Sequence, residues 1–95
     1  MISLSYYVYI ILCEDGSYYT GHTKDVENRF AIHKKGRGAR YTQMHQPKDL
    51  VYVEEFESRS EAMKRERWIK TLNHKNKRQL ISKTVNNLHV SRRRI

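Results

Sequence analysis

Residues 6–12 read Tyr-Tyr-Val-Tyr-Ile-Ile-Leu, an unbroken β-branched and aromatic run too short for a buried helix, which predicts a central strand. Asp15-Gly16 turns the chain, and residues 17–22 return as a second strand, so the pair forms a hairpin. The spacing then changes. Asp25 stands as an N-cap ahead of Val26, Phe30 and His33 at helical intervals, with Gly36 available for the stop, which predicts a helix of about three turns. Residues 34–46 carry two glycines, four basic residues and an aromatic, and read as a basic loop closed by Pro47 before residues 50–56 resume strand composition. Ser58-Arg59-Ser60-Glu61 has the capping-box pattern, and beyond it Ala62, Ile69 and Leu72 fall on one helical stripe that faces the sheet. Asn73 caps a shorter third helix holding Leu80 and Ile81; residues 84–95 then lose periodicity and end in Arg92-Arg93-Arg94. The order ββαβαα, without internal repeat or Ser/Pro-rich linker, assembles as one α+β layer pair. It comprises a domain over residues 1–83 and a basic, flexible tail over residues 84–95.

A chain of 95 residues supports one core rather than two. With 38% hydrophobic and 31% charged residues, one Pro and four Gly, that core is thin, but the composition is neither disordered nor fibrous. No apolar run approaches the ~20 residues that span a bilayer. Residues 1–12 also lack the charged start and small-residue cleavage site of a secretory signal, so the expected location is the cytoplasm. The single cysteine, Cys13, excludes an internal disulfide framework and a Cys-cluster zinc site, in keeping with a reducing compartment.

Charge changes the picture more than composition does. Residues 1–58 hold 7 Lys/Arg against 8 Asp/Glu, net −1, whereas residues 59–95 hold 12 against 2, net +10. Such asymmetry attracts polyanions and draws binding free energy from counterion release at phosphates, which makes nucleic acid the leading partner. Lys34, Lys35, Arg37, Arg40, Lys70, Lys75, Arg92, Arg93 and Arg94 are the candidate phosphate contacts. Solvation of surface helices is the plainer reading of the same residues.

Three features exceed what packing explains. Glu66 lies four residues after Ala62 and three before Ile69, on or beside the stripe that packs against the sheet. Its carboxylate either reaches solvent or pairs with a nearby Lys or Arg, or it serves as a hard-cation ligand, since Mg²⁺ commonly takes only one or two protein carboxylates and keeps its waters. Arg29 and His33, spaced i,i+4, share a helix face; they form either a solvated edge or a guanidinium and imidazole suited to phosphate clamping and proton transfer. Tyr9 and Tyr19 project from one face only if odd residues pair with odd ones across the hairpin, as a three-residue loop over residues 14–16 arranges. Gly21 offers either a close backbone approach or a bulge. His22 and His45 receive no role, and the histidines outline no metal site.

Tyr7-Val8-Tyr9, Tyr19-Thr20-Gly21, Arg29, His33 and Glu66 together resemble the GIY-YIG nuclease superfamily in order and spacing. The resemblance covers residues 5–82, and Asp15-Gly16-Ser17, Gly38-Ala39-Arg40-Tyr41-Thr42 and Ser60-Glu61-Ala62 are similar to its small stand-alone bacterial subgroup. Tyr7-Val8-Tyr9 departs from Gly-Ile-Tyr but keeps the final tyrosine. The resemblance implies a three-stranded antiparallel sheet flanked by helices and a one-metal phosphodiesterase site on the sheet face. It also implies that Glu66 holds Mg²⁺ or Mn²⁺, that Arg29 stabilises the pentacovalent phosphate, and that Tyr19 activates the attacking water with Tyr9 and His33 assisting. A phenol with an ordinary pKa near ~10 needs help to act as a base at neutral pH, so His33 is the alternative acceptor.

Two functions follow. The first is a divalent-metal-dependent endonuclease cutting DNA in preference to RNA, directed by structure or backbone in repair or recombination, with a partner protein as one route to targeting. The alternative is a non-catalytic nucleic-acid-binding module on the same fold. A structural subunit of a larger complex is a third class.

Overall fold

The computed structural model describes residues 5–83. The expected tail, with Arg92, Arg93 and Arg94, lies outside the described residues. Strands β1 (Tyr6–Cys13), β2 (Tyr18–Thr23) and β3 (Pro47–Phe56) form an antiparallel sheet in the order β2-β1-β3. The apolar run expected to be central is therefore central. Helices α1 (Val26–Lys34) and α2 (Arg40–Met44) lie between β2 and β3, and α3 (Arg59–Thr71) and α4 (His74–Lys83) follow. The class is α+β, as expected. No helix among the described residues is long and apolar enough to cross a membrane.

Because side chains alternate along a strand, β1 feeds two cores. Val8 and Ile10 pack with Tyr52 of β3 and with Ala62 and Ile69 of α3, flanked by Leu80 and Ile81 of α4. Tyr9, Ile11 and Cys13 pack on the opposite face with Val26 and Phe30 of α1. An extra residue in β3 between the partners of Ile10 and Ile11 carries Leu50 to the second core.

The helix ends obey the expected signals. Asp25 accepts from Asn28 N, Ser58 Oγ accepts from Glu61 N at 3.1 Å, and Asn73 Oδ1 accepts from Asn76 N at 2.8 Å. After α1, Gly36 takes φ +76°, Gly36 N donates to His33 O and Arg37 N to Ile32 O, the paired bonds of a glycine-terminated helix.

Three expectations need correction. The segment read as one basic loop contains the five-residue helix α2, which has no side-chain cap and is too short to show a period. β3 begins at Pro47 rather than at residue 50; its early residues Lys48 and Asp49 are exposed and polar, so they lack strand composition. A proline is admissible there as the first residue of an edge strand, where its missing N–H breaks no ladder. α1 is also shorter than expected, at nine residues.

Ile69, fully buried between α3 and the sheet, should cost about 2–5 kcal/mol when cut to Ala, whereas Met44→Ala, at a 75% exposed side chain, should change stability by less than about 0.5 kcal/mol. Urea unfolding of the two variants checks the contrast.

Candidate active site

The geometry begins at the β1–β2 loop. Gly16 N donates to Cys13 O at 2.9 Å and Cys13 N to Ser17 O at 2.8 Å, closing a three-residue loop in which Gly16 takes φ +86°. Odd residues consequently pair with odd: Tyr9 lies opposite Gly21 and Ile11 opposite Tyr19. Gly21 leaves the space that Tyr9 fills, since a Cβ there would lie 2.6 Å from the Tyr9 hydroxyl. The phenol thus lies over β2, with its ring centroid 6.2 Å from that of Tyr19.

His33 reaches the same place from α1. Its ring centroid is 5.1 Å from that of Tyr19, its Nε2 is 3.0 Å from the Tyr9 hydroxyl, and its Nδ1 is 2.6 Å from Thr42 Oγ1 on α2. The imidazole is 1% exposed and both nitrogens are engaged. Burial, then the Arg29 charge, push His33 below its ordinary pKa, so the ring is neutral at pH 7. Burial pushes the Tyr9 phenol well above the tyrosine range; Tyr19 and Glu66 add to this and Arg29 opposes it. Tyr9 is therefore protonated at neutral pH. Arg29 is exposed, one turn before His33, and makes no ion pair or side-chain hydrogen bond among the described residues.

Glu66 comes from the other side of the sheet. Its Oε1 lies 2.5 Å from Nδ1 of His22 and its Oε2 2.7 Å from Nζ of Lys70. Burial raises the carboxyl pKa, but Lys70 and His22 outweigh it and hold the group below its ordinary value, so it is ionised. Rather than lining one sheet face, the candidate residues approach from both faces. Tyr9, Tyr19, Arg29 and His33 lie on the α1 side and Glu66 on the α3 side; Tyr9 and Tyr19 border Gly21, Glu66 holds His22 next to it on the edge strand, and the charges of Arg29 and Glu66 both act on Tyr9.

Among the described residues no three His, Cys, Asp or Glu side chains cluster as a metal cage. The chemistry of the donor set nevertheless fits a hard cation: one ionised carboxylate meets the minimum for Mg²⁺, which keeps water and takes substrate phosphate as further ligands.

Of the candidate phosphate contacts, Lys34, Lys35, Arg37, Arg40 and Lys75 are exposed. Lys34 lies over the Phe30 ring. Lys70 is half-exposed, but its ammonium is held by Glu66. His22 was legible only through parity: once odd residues pair with odd, it shares a face with Val8, where α3 packs, and Glu66 is the polar residue on that stripe. Thr42 enters the sequence reading only as part of the Gly38-Ala39-Arg40-Tyr41-Thr42 segment, and nothing in its spacing places a buried hydroxyl against His33.

A family description, the GIY-YIG catalytic domain, matches residues 5–79, and the chain belongs to that family, which is a family of nucleases. Its relatives are UPF0213 proteins. One from Staphylococcus saprophyticus is 51% identical over 77 residues, covering 81% of this chain and 94% of the relative. The solution NMR structure of a UPF0213 protein from Bacillus halodurans is similar at 46% identity and TM-score 0.54, covering 82% of this chain and 83% of that one. An E. faecalis protein, also solved by NMR, is similar at 40% identity and TM-score 0.58, covering 83% and 84%.

A folded-state pKa below the unfolded one gives His33 a contribution to stability that is present above the ordinary imidazole value near ~6.5 and lost as pH falls below it. Urea midpoints should therefore decline on acidification through that range, and His33→Asn should remove part of the decline.

Proposed function

We propose that the chain is a divalent-metal-dependent endonuclease that hydrolyses DNA phosphodiester bonds, recognising backbone or branched structure in repair or recombination intermediates. The observation that carries this reading is a buried Tyr9–His33 pair beside Tyr19 and Gly21, with Arg29 and the ionised Glu66 both acting electrostatically on Tyr9. Binding alone needs cations at phosphates and has no use for an aligned phenol and imidazole.

In this reading Arg29 contacts the scissile phosphate and stabilises charge that grows in the transition state. Glu66 would hold Mg²⁺ or Mn²⁺, which supplies Lewis-acid polarisation of the phosphate and favours ionisation of water. Direct proton abstraction by His33 is closed, because its nitrogens are engaged by Tyr9 and Thr42. Tyr19, half-buried at the cluster's outer side, accepts the proton of the attacking water while passing its own to Tyr9, and Tyr9 passes its proton to His33 Nε2. The water oxygen bonds to phosphorus, the bond to the leaving nucleoside oxygen breaks with its electron pair, and that oxygen takes a proton from solvent. Lys34, Lys35, Arg37 and Arg40, exposed around the end of α1 and the start of α2, and Lys75 on α4 supply sequence-independent phosphate contacts. Lys70 would join them when it leaves Glu66.

The expected result is nicking of plasmid or branched DNA with Mg²⁺ or Mn²⁺ and none with EDTA. Glu66→Gln should abolish cutting with DNA binding retained, and Arg29→Ala should lower kcat by about 10²–10³-fold. Binding without cutting on DNA and RNA alike would instead favour the non-catalytic module.

A further inference from the structure

The partners that hold His33 extend one residue past the groups given a chemical role. Thr42 is 1% exposed on α2, and its Oγ1 lies 2.9 Å from the Ala39 carbonyl oxygen as well as 2.6 Å from His33 Nδ1. A hydroxyl has one proton to give, and a carbonyl oxygen has none. Thr42 therefore donates to Ala39 and meets His33 as an acceptor, which requires the imidazole proton to sit on Nδ1. In a neutral ring Nε2 then carries only a lone pair, so the Tyr9 hydroxyl at 3.0 Å is the donor there. One backbone carbonyl thereby orients every proton in the series Tyr9, His33, Thr42, Ala39. The lone pairs of the Tyr9 oxygen are left for the side of Tyr19, whose ring centroid lies 6.2 Å from that of Tyr9.

Gly38 completes the arrangement. A Cβ at that position would fall 2.1 Å from His33 Nδ1 and 2.7 Å from two ring carbons, so only a bare backbone can lie against the imidazole while Thr42 reaches its nitrogen. α2 and the glycine before it therefore have a use that the basic composition of this segment conceals.

We propose that Thr42 is a positioning residue which, backed by the Ala39 carbonyl and admitted by Gly38, locks His33 as the Nδ1–H tautomer and so makes Nε2 the acceptor for the Tyr9 proton. Its consequence for cleavage rests on the nuclease reading; the tautomer itself does not. In the Nε2–H tautomer two donors would face each other at Tyr9, or Tyr9 would have to turn its proton toward Tyr19, and the relay would point the wrong way.

The test is a long-range ¹H–¹⁵N spectrum of histidine-labelled protein, alongside cleavage kinetics, for the wild type, Thr42→Ser and Thr42→Val. The wild type and Thr42→Ser should show a protonated Nδ1 and a bare Nε2 at His33. Thr42→Val should shift proton population to Nε2 and lower kcat by about 10–100-fold, the scale of losing an outer partner that fixes a histidine tautomer, with KM unchanged. Serine should restore the rate. A protonated Nε2 in the wild type overturns the proposal, and that spectrum needs no variant to fold. Wild-type kcat in a folded Thr42→Val overturns the positioning role. A wild type that shows the Nδ1–H ring yet cuts no substrate leaves the tautomer lock standing and removes the nuclease reading.

Discussion

The three-residue loop after Cys13 governs the face that every β2 side chain takes. Its two backbone bonds and the positive φ of Gly16 pair odd residues with odd, and a loop shorter by one residue would exchange the faces of Tyr19 and His22. Tyr19 would then leave Tyr9 and His33, and His22 would leave Glu66. The same register sets Gly21 opposite Tyr9, where the missing side chain lets a bulky phenol cross the strand. A thin edge strand is thus where groups from α1 and α3 come within electrostatic reach.

Around that strand the protein keeps two kinds of polar group in opposite conditions. Tyr9 and His33 are buried, neutral and hydrogen-bonded to each other, which suits movement of a proton without a permanent buried charge. Glu66 is ionised and has both oxygens occupied, by His22 and by the flexible Lys70. The Lys70 ammonium reaches that carboxylate from one helical turn away, at i,i+4. Arg29 remains exposed one turn before His33, its charge helping to keep that ring neutral.

Much of this was legible in residue order. The Asp15-Gly16 turn, the Asp25, Ser58 and Asn73 caps and the Gly36 stop are local signals whose physics acts within a few residues, and each appears where expected. Glu66 stood out as a carboxylate on an apolar stripe. What stayed hidden depends on tertiary contact. The five residues of α2 are too few for a period, and the strand residues between Pro47 and Leu50 are polar because they lie at an exposed edge. Thr42 and Gly38 acquire their role only when α2 folds back on α1. The expectation that the site occupies one sheet face met the same limit: which residues share a face follows from register, but what crosses an edge depends on where α3 docks.

The central claim is that side chains on opposite faces of the sheet form one cation-dependent site at the β2 edge. Titrating Mn²⁺ into ¹⁵N-labelled protein and following paramagnetic broadening tests it most directly. The account predicts that broadening centres on Glu66, His22 and Gly21 and reaches Tyr9 and Tyr19 from across the strand, with Glu66→Gln abolishing it. Broadening confined to the acidic end of β3 around Glu55 and Glu57, with β2 untouched, would contradict it.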